Sequence, residues 1–225
     1  MKRAGRIFSA DDRQQINDAV SAAERQTSAQ IMPVVATVSG RYDRAEDVVG
    51  LWVGILLAAV SWTLIPERSD ELGAFGGVPA ELKLLLIMAL VGVGFVIGAW
   101  LAGRIVSVRR LFTPLSHMHE QVDTAARRVF FDQRMSHTER GTGLLMYISL
   151  YEQLAVVLAD RGSADRLGPE TLEHLCNRLT WELKNGDVTA ALSAVIAETG
   201  ATLSRHLPAE PGQINELPDA LITLD

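Results

Sequence analysis

Two long uncharged stretches interrupt an otherwise mixed pattern of apolar and polar positions. The first covers 48–65 (VVGLWVGILLAAVSWTLI), and the second begins at 84 (LLLIMALVGVGFVIGAWLAG). A helix that crosses about 30 Å of hydrocarbon needs about 20 mostly apolar residues. The alternative interpretation is that both stretches are buried helices of a soluble protein. Such helices nearly always have a polar stripe, and neither stretch has one. We predict transmembrane helices at 48–65 and 84–106, joined by a short external loop at 66–83.

The distribution of Lys and Arg predicts the orientation of these two spans. Basic residues are frequent before the first span and directly after the second, where Arg104, Arg109 and Arg110 follow it. The intervening loop has only Arg68 and Lys83 against four acidic residues. Cytoplasmic segments carry the excess of basic residues, so both termini are expected in the cytoplasm. No apolar core follows the basic N-terminus, so we expect no cleaved signal peptide.

Small residues recur four apart in both spans. They are Gly50, Gly54 and Ala58 in the first, and Gly94, Gly98 and Ala102 in the second. Ridges of small residues let helix backbones approach closely. The spans are therefore expected to pack as an intramolecular hairpin, and the same faces could serve a homo-oligomer. Neither span has an ionisable residue in its middle, which disfavours a transporter.

The segments on either side of the spans alternate between helical and strand patterns. Ser9 and Asp12 form the S-x-x-D pattern of a helix start, and Pro33 is expected at the start or on an edge of its strand. Only Tyr151 and Glu152 separate the last two strands, which predicts an antiparallel hairpin. The predicted helices cover about 10–26, 115–135, 169–185 and 188–206, and the strands 31–38, 143–150 and 153–159.

These pieces predict one α/β domain that the membrane hairpin interrupts. Because the chain enters and leaves the membrane on the same side, the first strand can join the later two. The strands are apolar along their length, which indicates helices on both faces of a small sheet. The domain would consist of 1–47 and 107–207. A flexible tail at 208–225, with three prolines, would follow it.

Composition and motifs exclude several classes of function. There are 21 basic and 27 acidic side chains, a net charge of −6, which disfavours nucleic acid as a partner. The single cysteine, Cys176, excludes an internal disulfide and a CxxC pair. The sequence also lacks the G-x-x-x-x-G-K-[ST], H-E-x-x-H and G-x-G-x-x-G motifs of nucleotide and zinc sites.

The order of elements and several short motifs resemble the TPM family, whose small α/β domain occurs in bacteria, plastids and some animal membrane proteins. The resemblance covers about 8–41 and 115–206. Its motifs are the helix–turn–strand AAERQTSAQIMPVVA, with Thr27 and Ser28 at the turn, and then AARRVFF, GTGLLMYIS, QLAVVLAD and RGSADRLGPE. It implies a TPM-like sandwich. With the two predicted spans and their orientation, we expect a multi-pass protein of the bacterial inner (plasma) membrane.

The chain departs from the family pattern at two places. Typical members have Gly-Tyr-Gly-Leu-Glu after the third strand, where this chain has 160–165 (DRGSAD), and Gln30 stands where a Glu is frequent. Many members also work outside the cytoplasm. The partners and activities of those exported members therefore transfer poorly to this chain.

The candidate site is the acidic segment after the third predicted strand. Ligands in open α/β sheets bind beyond strand ends, and the resemblance implies acid phosphatase activity and divalent-cation binding here. Asp160, Asp165 and Glu170 could hold Ca²⁺ or Mg²⁺, while Arg161 or Arg166 could clamp a phosphoryl group. The alternative is that these residues form ordinary loop salt bridges, with Asp165 or the nearby Ser163 organising the entry to the next helix.

Two functions from different classes follow from the sequence. The favoured one is a membrane-tethered module, in contact with the lipid bilayer, that helps to assemble or maintain a membrane complex. It draws on the association of the TPM family with photosystem assembly and repair. The alternative is a metal-dependent phosphatase that uses Asp160 and Asp165.

Overall fold

The computed structural model divides the chain into two units. The structure describes residues 3–40, 42–66, 77–105, 111–135, 142–209 and 220–225. One unit combines residues 1–40 with 116–225, and the other covers 41–115. Most of the predicted external loop, at 67–76, and the segments 106–110 and 210–219 lie outside the described residues.

The first unit is the α/β domain predicted from the pattern. Its helices are α1 (Ala4–Ile7), α2 (Ala10–Glu24), α5 (Leu115–Asp132), α6 (Arg161–Asn185) and α7 (Val188–His206), and its strands are β1 (Gln30–Ala36), β2 (Gly143–Ser149), β3 (Leu154–Ala159) and β4 (Ile222–Leu224). The S-x-x-D prediction is confirmed, because the Ser9 hydroxyl accepts the Asp12 N–H and the Asp12 carboxylate accepts the Ser9 N–H. Asp187 caps α7, where its carboxylate accepts the Thr189 N–H.

The strands form one mixed sheet in the order β3-β2-β1-β4. β1 pairs in parallel with β2, although the whole hairpin lies between them in sequence. β2 and β3 are antiparallel, as their short connection predicts. The prediction that the first strand joins the later two is therefore confirmed.

Helices flank the sheet, which confirms the predicted α/β class. Alternate residues of β1 and β2, such as Ile31 and Met146, share one core with buried side chains of α2, α6 and α7. Met32 and Leu145 point to the opposite face and are fully buried as well. The buried stripe of α5, including Val122, accounts for that second face. Every residue of β1 and β2 is buried, because both faces of the sheet are covered.

Three local predictions differ from the structure. The hairpin turn spans 150–153 instead of two residues, because pairing stops at Ser149 and Leu154. Gln153 completes that turn with a φ of 53°. Helix α6 begins at Arg161, eight residues before the predicted start, and Gly168 (φ 75°) and Pro169 kink it. The end of the predicted flexible tail forms β4, paired in parallel with β1.

The outer edge of β1 is protected along its length. The Ile31 N–H, which faces this edge, donates to the Glu24 carboxylate at 2.7 Å. Pro33 has no N–H to offer, and its position beside the short β4 agrees with the predicted edge placement. Further along, the Thr37 N–H donates to the Leu224 carbonyl at 2.8 Å. An exposed strand edge is a template for aggregation. These three features protect this edge of β1 from pairing with another chain.

Gly200 permits the close contact between α2 and α7. A Cβ on Gly200 would lie 2.6 Å from the Ala23 Cβ. Although Gly→Ala within a helix ordinarily stabilises by about 1 kcal/mol, we expect Gly200→Ala to destabilise the α/β unit by about 2 kcal/mol through overpacking. Urea unfolding of the detergent-solubilised protein, followed by circular dichroism, measures the change. The double variant Gly200→Ala/Ala23→Gly removes the 2.6 Å contact but keeps a 2.9 Å contact with the Cα of residue 23, so it should recover only part of the loss; a stabilised single variant would contradict the packing argument.

The second unit contains the two apolar helices. They are α3 (Asp43–Leu64) and α4 (Ala80–Arg104). Each is long and apolar enough to cross a membrane, and most of its side chains are not buried within the protein. Both agree in position with the predicted spans, but α4 begins four residues earlier and brings Lys83 into the helix.

Candidate functional site

The acidic segment lies at the amino edge of the two parallel strands. β3 runs antiparallel to β2, so its last residue, Ala159, is opposite Leu144 near the start of β2. The Asp160 N–H donates to the Gly143 carbonyl at 2.8 Å. Ligands in open α/β sheets bind at the carboxyl edge of the parallel strands. The positional argument for this segment therefore does not hold, because the strand that runs parallel to β1 is β2 and not β3; the sequence predicted the β2–β3 hairpin but not the direction of β1.

The predicted loop is in fact the first part of α6. Asp160 is its N-cap, and one carboxylate oxygen accepts the Arg161 N–H at 2.7 Å. Arg161 and Asp165 form an i,i+4 ion pair at 4.0 Å with highly exposed side chains. Such pairs contribute little to stability. These contacts match the alternative interpretation, in which the charged groups serve the helix.

The remaining two candidates lie apart from this pair. The Arg166 guanidinium donates to the His206 carbonyl at 3.1 Å, which links α6 to the end of α7. Glu170 is exposed and lies beyond the kink at Gly168. Within the described part of the chain, no three His, Cys, Asp or Glu side chains are grouped closely enough to hold a metal ion. The Ca²⁺ or Mg²⁺ site and the phosphatase alternative stay predictions.

Substitutions at Asp160 separate a capping role from a ligand role. Asp160→Ala should lower the free energy of unfolding by about 1 kcal/mol, because the cap is lost. Asp160→Asn should leave stability within about 0.5 kcal/mol, because Asn caps equally well. Urea unfolding of the solubilised protein, with and without millimolar Ca²⁺ or Mg²⁺, measures both variants. A metal-dependent stabilisation of the wild type that Asp160→Asn abolishes would instead support the metal site.

A buried polar cluster lies at the opposite, carboxyl edge of the sheet. Glu152, in the β2–β3 turn, is 1% exposed. One of its carboxyl oxygens accepts the Ser39 N–H at 3.0 Å, and the Ser149 hydroxyl donates to the other. The Ser39 and Tyr147 hydroxyls are hydrogen-bonded to each other at 3.0 Å. The cluster therefore joins the β2–β3 turn to the segment that follows β1.

The electrostatics of this cluster follow from its burial. Desolvation raises the pKa of the Tyr147 hydroxyl; the nearby Glu152 adds to that rise, and the hydrogen bond with Ser39 opposes it. Sequence reasoning assigned Glu152 only to a tight turn. The available signal was an acidic residue between two strands that are apolar along their length.

Cys176 is a partly buried side chain on α6. The Val157 N–H donates to its sulfur at 3.0 Å, which ties α6 to β3. Burial raises the pKa of the Cys176 thiol above its ordinary value. The thiol therefore stays protonated at neutral pH and has little nucleophilic character.

The apolar helices pack through their small residues, as predicted. A Cβ on Gly98 would lie 2.9 Å from the Gly50 Cα, and one on Gly94 would lie 3.1 Å from the Gly54 Cα. Glycine thus lets the two backbones touch at successive turns. The predicted hairpin is confirmed within this unit.

The outward side of the hairpin is almost entirely apolar. Large side chains on both helices are more than half exposed, among them Trp52 (62%), Leu56 (63%) and Val96 (66%). A contiguous exposed apolar surface of this kind is rare on soluble monomers and marks contact with a membrane or a partner. This surface is the chain's clearest binding feature.

Comparisons with known proteins show a similar fold and identify no activity. No family model matches the chain, and no curated protein matches it. Among solved structures, it is similar to the NMR structure of the BA42 protein from the psychrophilic bacterium Bizionia argentinensis, at 16% identity and a TM-score of 0.56, with 99% of each chain covered. At this identity the likeness shows the fold alone. It is compatible with a TPM fold.

Proposed function

We propose that this chain is an integral membrane protein whose α/β unit acts as a tethered interaction module for a membrane complex. The observation that carries the proposal is the hairpin. Its inner faces are joined by glycine contacts, and its outer faces expose large apolar side chains. In water such a surface would aggregate, whereas in a bilayer it is solvated by the acyl chains.

The charge distribution supports a cytoplasmic position for the α/β unit. Arg104 ends α4, and Arg109 and Arg110 follow it in the sequence, on the side from which the chain returns to the sheet. The connection between the helices has a net acidic character. By the positive-inside rule, both ends of the hairpin face the cytoplasm of a bacterial inner membrane.

Two exposed aromatic side chains on the α/β unit are candidates for contact with a partner. Phe131 on α5 is 68% exposed, and Trp181 on α6 is 59% exposed. Large aromatic residues frequently dominate the binding energy of protein interfaces. A module held at the membrane by its hairpin would use such side chains to bind a neighbouring membrane protein.

Fractionation and affinity capture test the two parts of this proposal. The protein should stay in bacterial membranes during alkaline carbonate extraction; release into the supernatant would refute integral insertion. Capture in mild detergent should recover one membrane protein in constant proportion, and the amount should fall at least about fivefold in Trp181→Ser or Phe131→Ser. Arg161→Ala, which alters another highly exposed side chain of α6, is the matched control. Equal recovery by all variants would contradict the aromatic contacts.

A further inference from the structure

Each end of the hairpin has a cation beside a tryptophan ring. At the end near the connection, the Lys83 ammonium lies 4.4 Å from the centre of the Trp62 ring and joins α4 to α3. At the other end, the Arg104 guanidinium lies 4.9 Å from the centre of the Trp100 ring on the same helix. Such cation–π contacts are stronger where water is excluded.

The two pairs differ in what they present to the surroundings. Lys83 is only 5% exposed, so its charge is held within the end of the hairpin. Arg104 is exposed at the last position of α4. Neither charge can move far into hydrocarbon without a large free-energy cost. Each therefore limits how far its end of the hairpin can sink into a bilayer.

The spacing of the pairs matches a bilayer. Arg104 lies 21 positions after Lys83 along α4, which at a rise of about 1.5 Å per residue corresponds to about 32 Å. The hydrocarbon layer of a typical bilayer is about 30 Å thick. The positions between them, 84–103, have no charged residue. Tryptophan and basic residues are enriched at the two membrane interfaces.

We infer that the Lys83–Trp62 and Trp100–Arg104 pairs hold the two ends of the hairpin in the opposite headgroup layers of a phospholipid bilayer. The hairpin then matches a hydrocarbon layer of one thickness. Arg104 limits the depth of insertion at the end from which the chain continues to the α/β unit. This inference rests on the proposed membrane insertion and adds the depth at which the helices sit.

Removal of the Arg104 charge should lengthen the apolar stretch. In Arg104→Leu no charged residue follows position 83 until Arg109, so about five more residues could enter the hydrocarbon. In thick bilayers Trp100 should then be drawn away from the headgroups. Arg104→Lys keeps a cation at this position and is the matched control.

The test uses the full chain with Trp100 as its only tryptophan; the other three are replaced by phenylalanine, which at position 62 keeps an aromatic ring for the contact with Lys83. It is reconstituted in phosphatidylcholine vesicles with acyl chains of about 14 to about 22 carbons. Quenching of Trp100 by acrylamide in the aqueous phase reports the depth of the ring. Quenching should change little across the series with Arg104 or Arg104→Lys. With Arg104→Leu it should fall at least about twofold in the longest-chain vesicles.

Two results would overturn the inference, and they are distinguishable. Identical quenching of Trp100 with Arg104 and with Arg104→Leu in every vesicle, while the protein resists carbonate extraction, would overturn the depth assignment and leave the proposed insertion intact. Release of the unsubstituted protein by carbonate would overturn both.

Discussion

Glu152→Ala is expected to lower the free energy of unfolding of the α/β unit by about 3 kcal/mol. The substitution leaves the Ser39 N–H and the Ser149 hydroxyl without their acceptor at a position that is 1% exposed. Each buried donor left unsatisfied costs about 1–3 kcal/mol. Urea unfolding of the detergent-solubilised protein, followed by circular dichroism, measures the loss.

Two further variants identify the source of that loss. Glu152→Gln should cost only about 1 kcal/mol, because its amide oxygen can accept the Ser39 N–H and its amide nitrogen can donate to Ser149. Glu170→Ala removes an exposed carboxylate from α6 and should change stability by less than about 0.5 kcal/mol. If Glu152→Ala were as mild as Glu170→Ala, the cluster would not be supporting the link between β1 and the β2–β3 turn.

Gly98→Val is expected to destabilise the packed hairpin by about 3 kcal/mol. Its Cβ would lie 2.9 Å from both the Gly50 Cα and the Val53 Cβ. Because a backbone atom of α3 forms part of this contact, the clash cannot be relieved by a rotamer change, and the helices must separate. Titration of the protein with sodium dodecyl sulfate in mixed micelles measures the loss as a lower midpoint for helix separation.

Gly92 provides a matched control on the same helix. A Cβ there would meet nothing within 4 Å, so Gly92→Val should shift the midpoint by less than about 0.5 kcal/mol. An equal shift for the two variants would mean that valine weakens α4 itself, and the glycine contact with α3 would lose its assigned role.

The two membrane proposals connect sequence, packing and position. The glycine contacts bring α3 and α4 together, and their outer side chains then form one continuous apolar surface. The cation–π pairs near Trp62 and Trp100 delimit that surface at both ends. In the proposed insertion, the chain leaves the α/β unit for the hairpin after β1 and returns to it before α5.

Most helices and strands could be predicted because their signals are local. The S-x-x-D cap at Ser9, the apolar runs of β1 and β2 and the small-residue ridges of the hairpin each depend on neighbouring positions. Local patterns also indicated that β1 must find partners elsewhere, and the pairing of β1 with β2 confirms this. The end of the tail was missed because a three-residue strand such as β4 has no periodicity to detect.

The two apolar helices, their glycine faces and the α/β class were predictable, because they follow from the identity and spacing of residues along one element. Where the polar groups meet is visible only in the folded chain. The folded structure places Asp160 at the amino edge of the two parallel strands, because β1 runs parallel to β2, and the sequence predicted only the direction of β3 relative to β2. The fold also brings Glu152 to Ser39, 113 residues away in the chain. Contacts between residues so far apart in the sequence depend on the direction and order of the strands. Those depend in turn on how the helices pack against the two faces of the sheet.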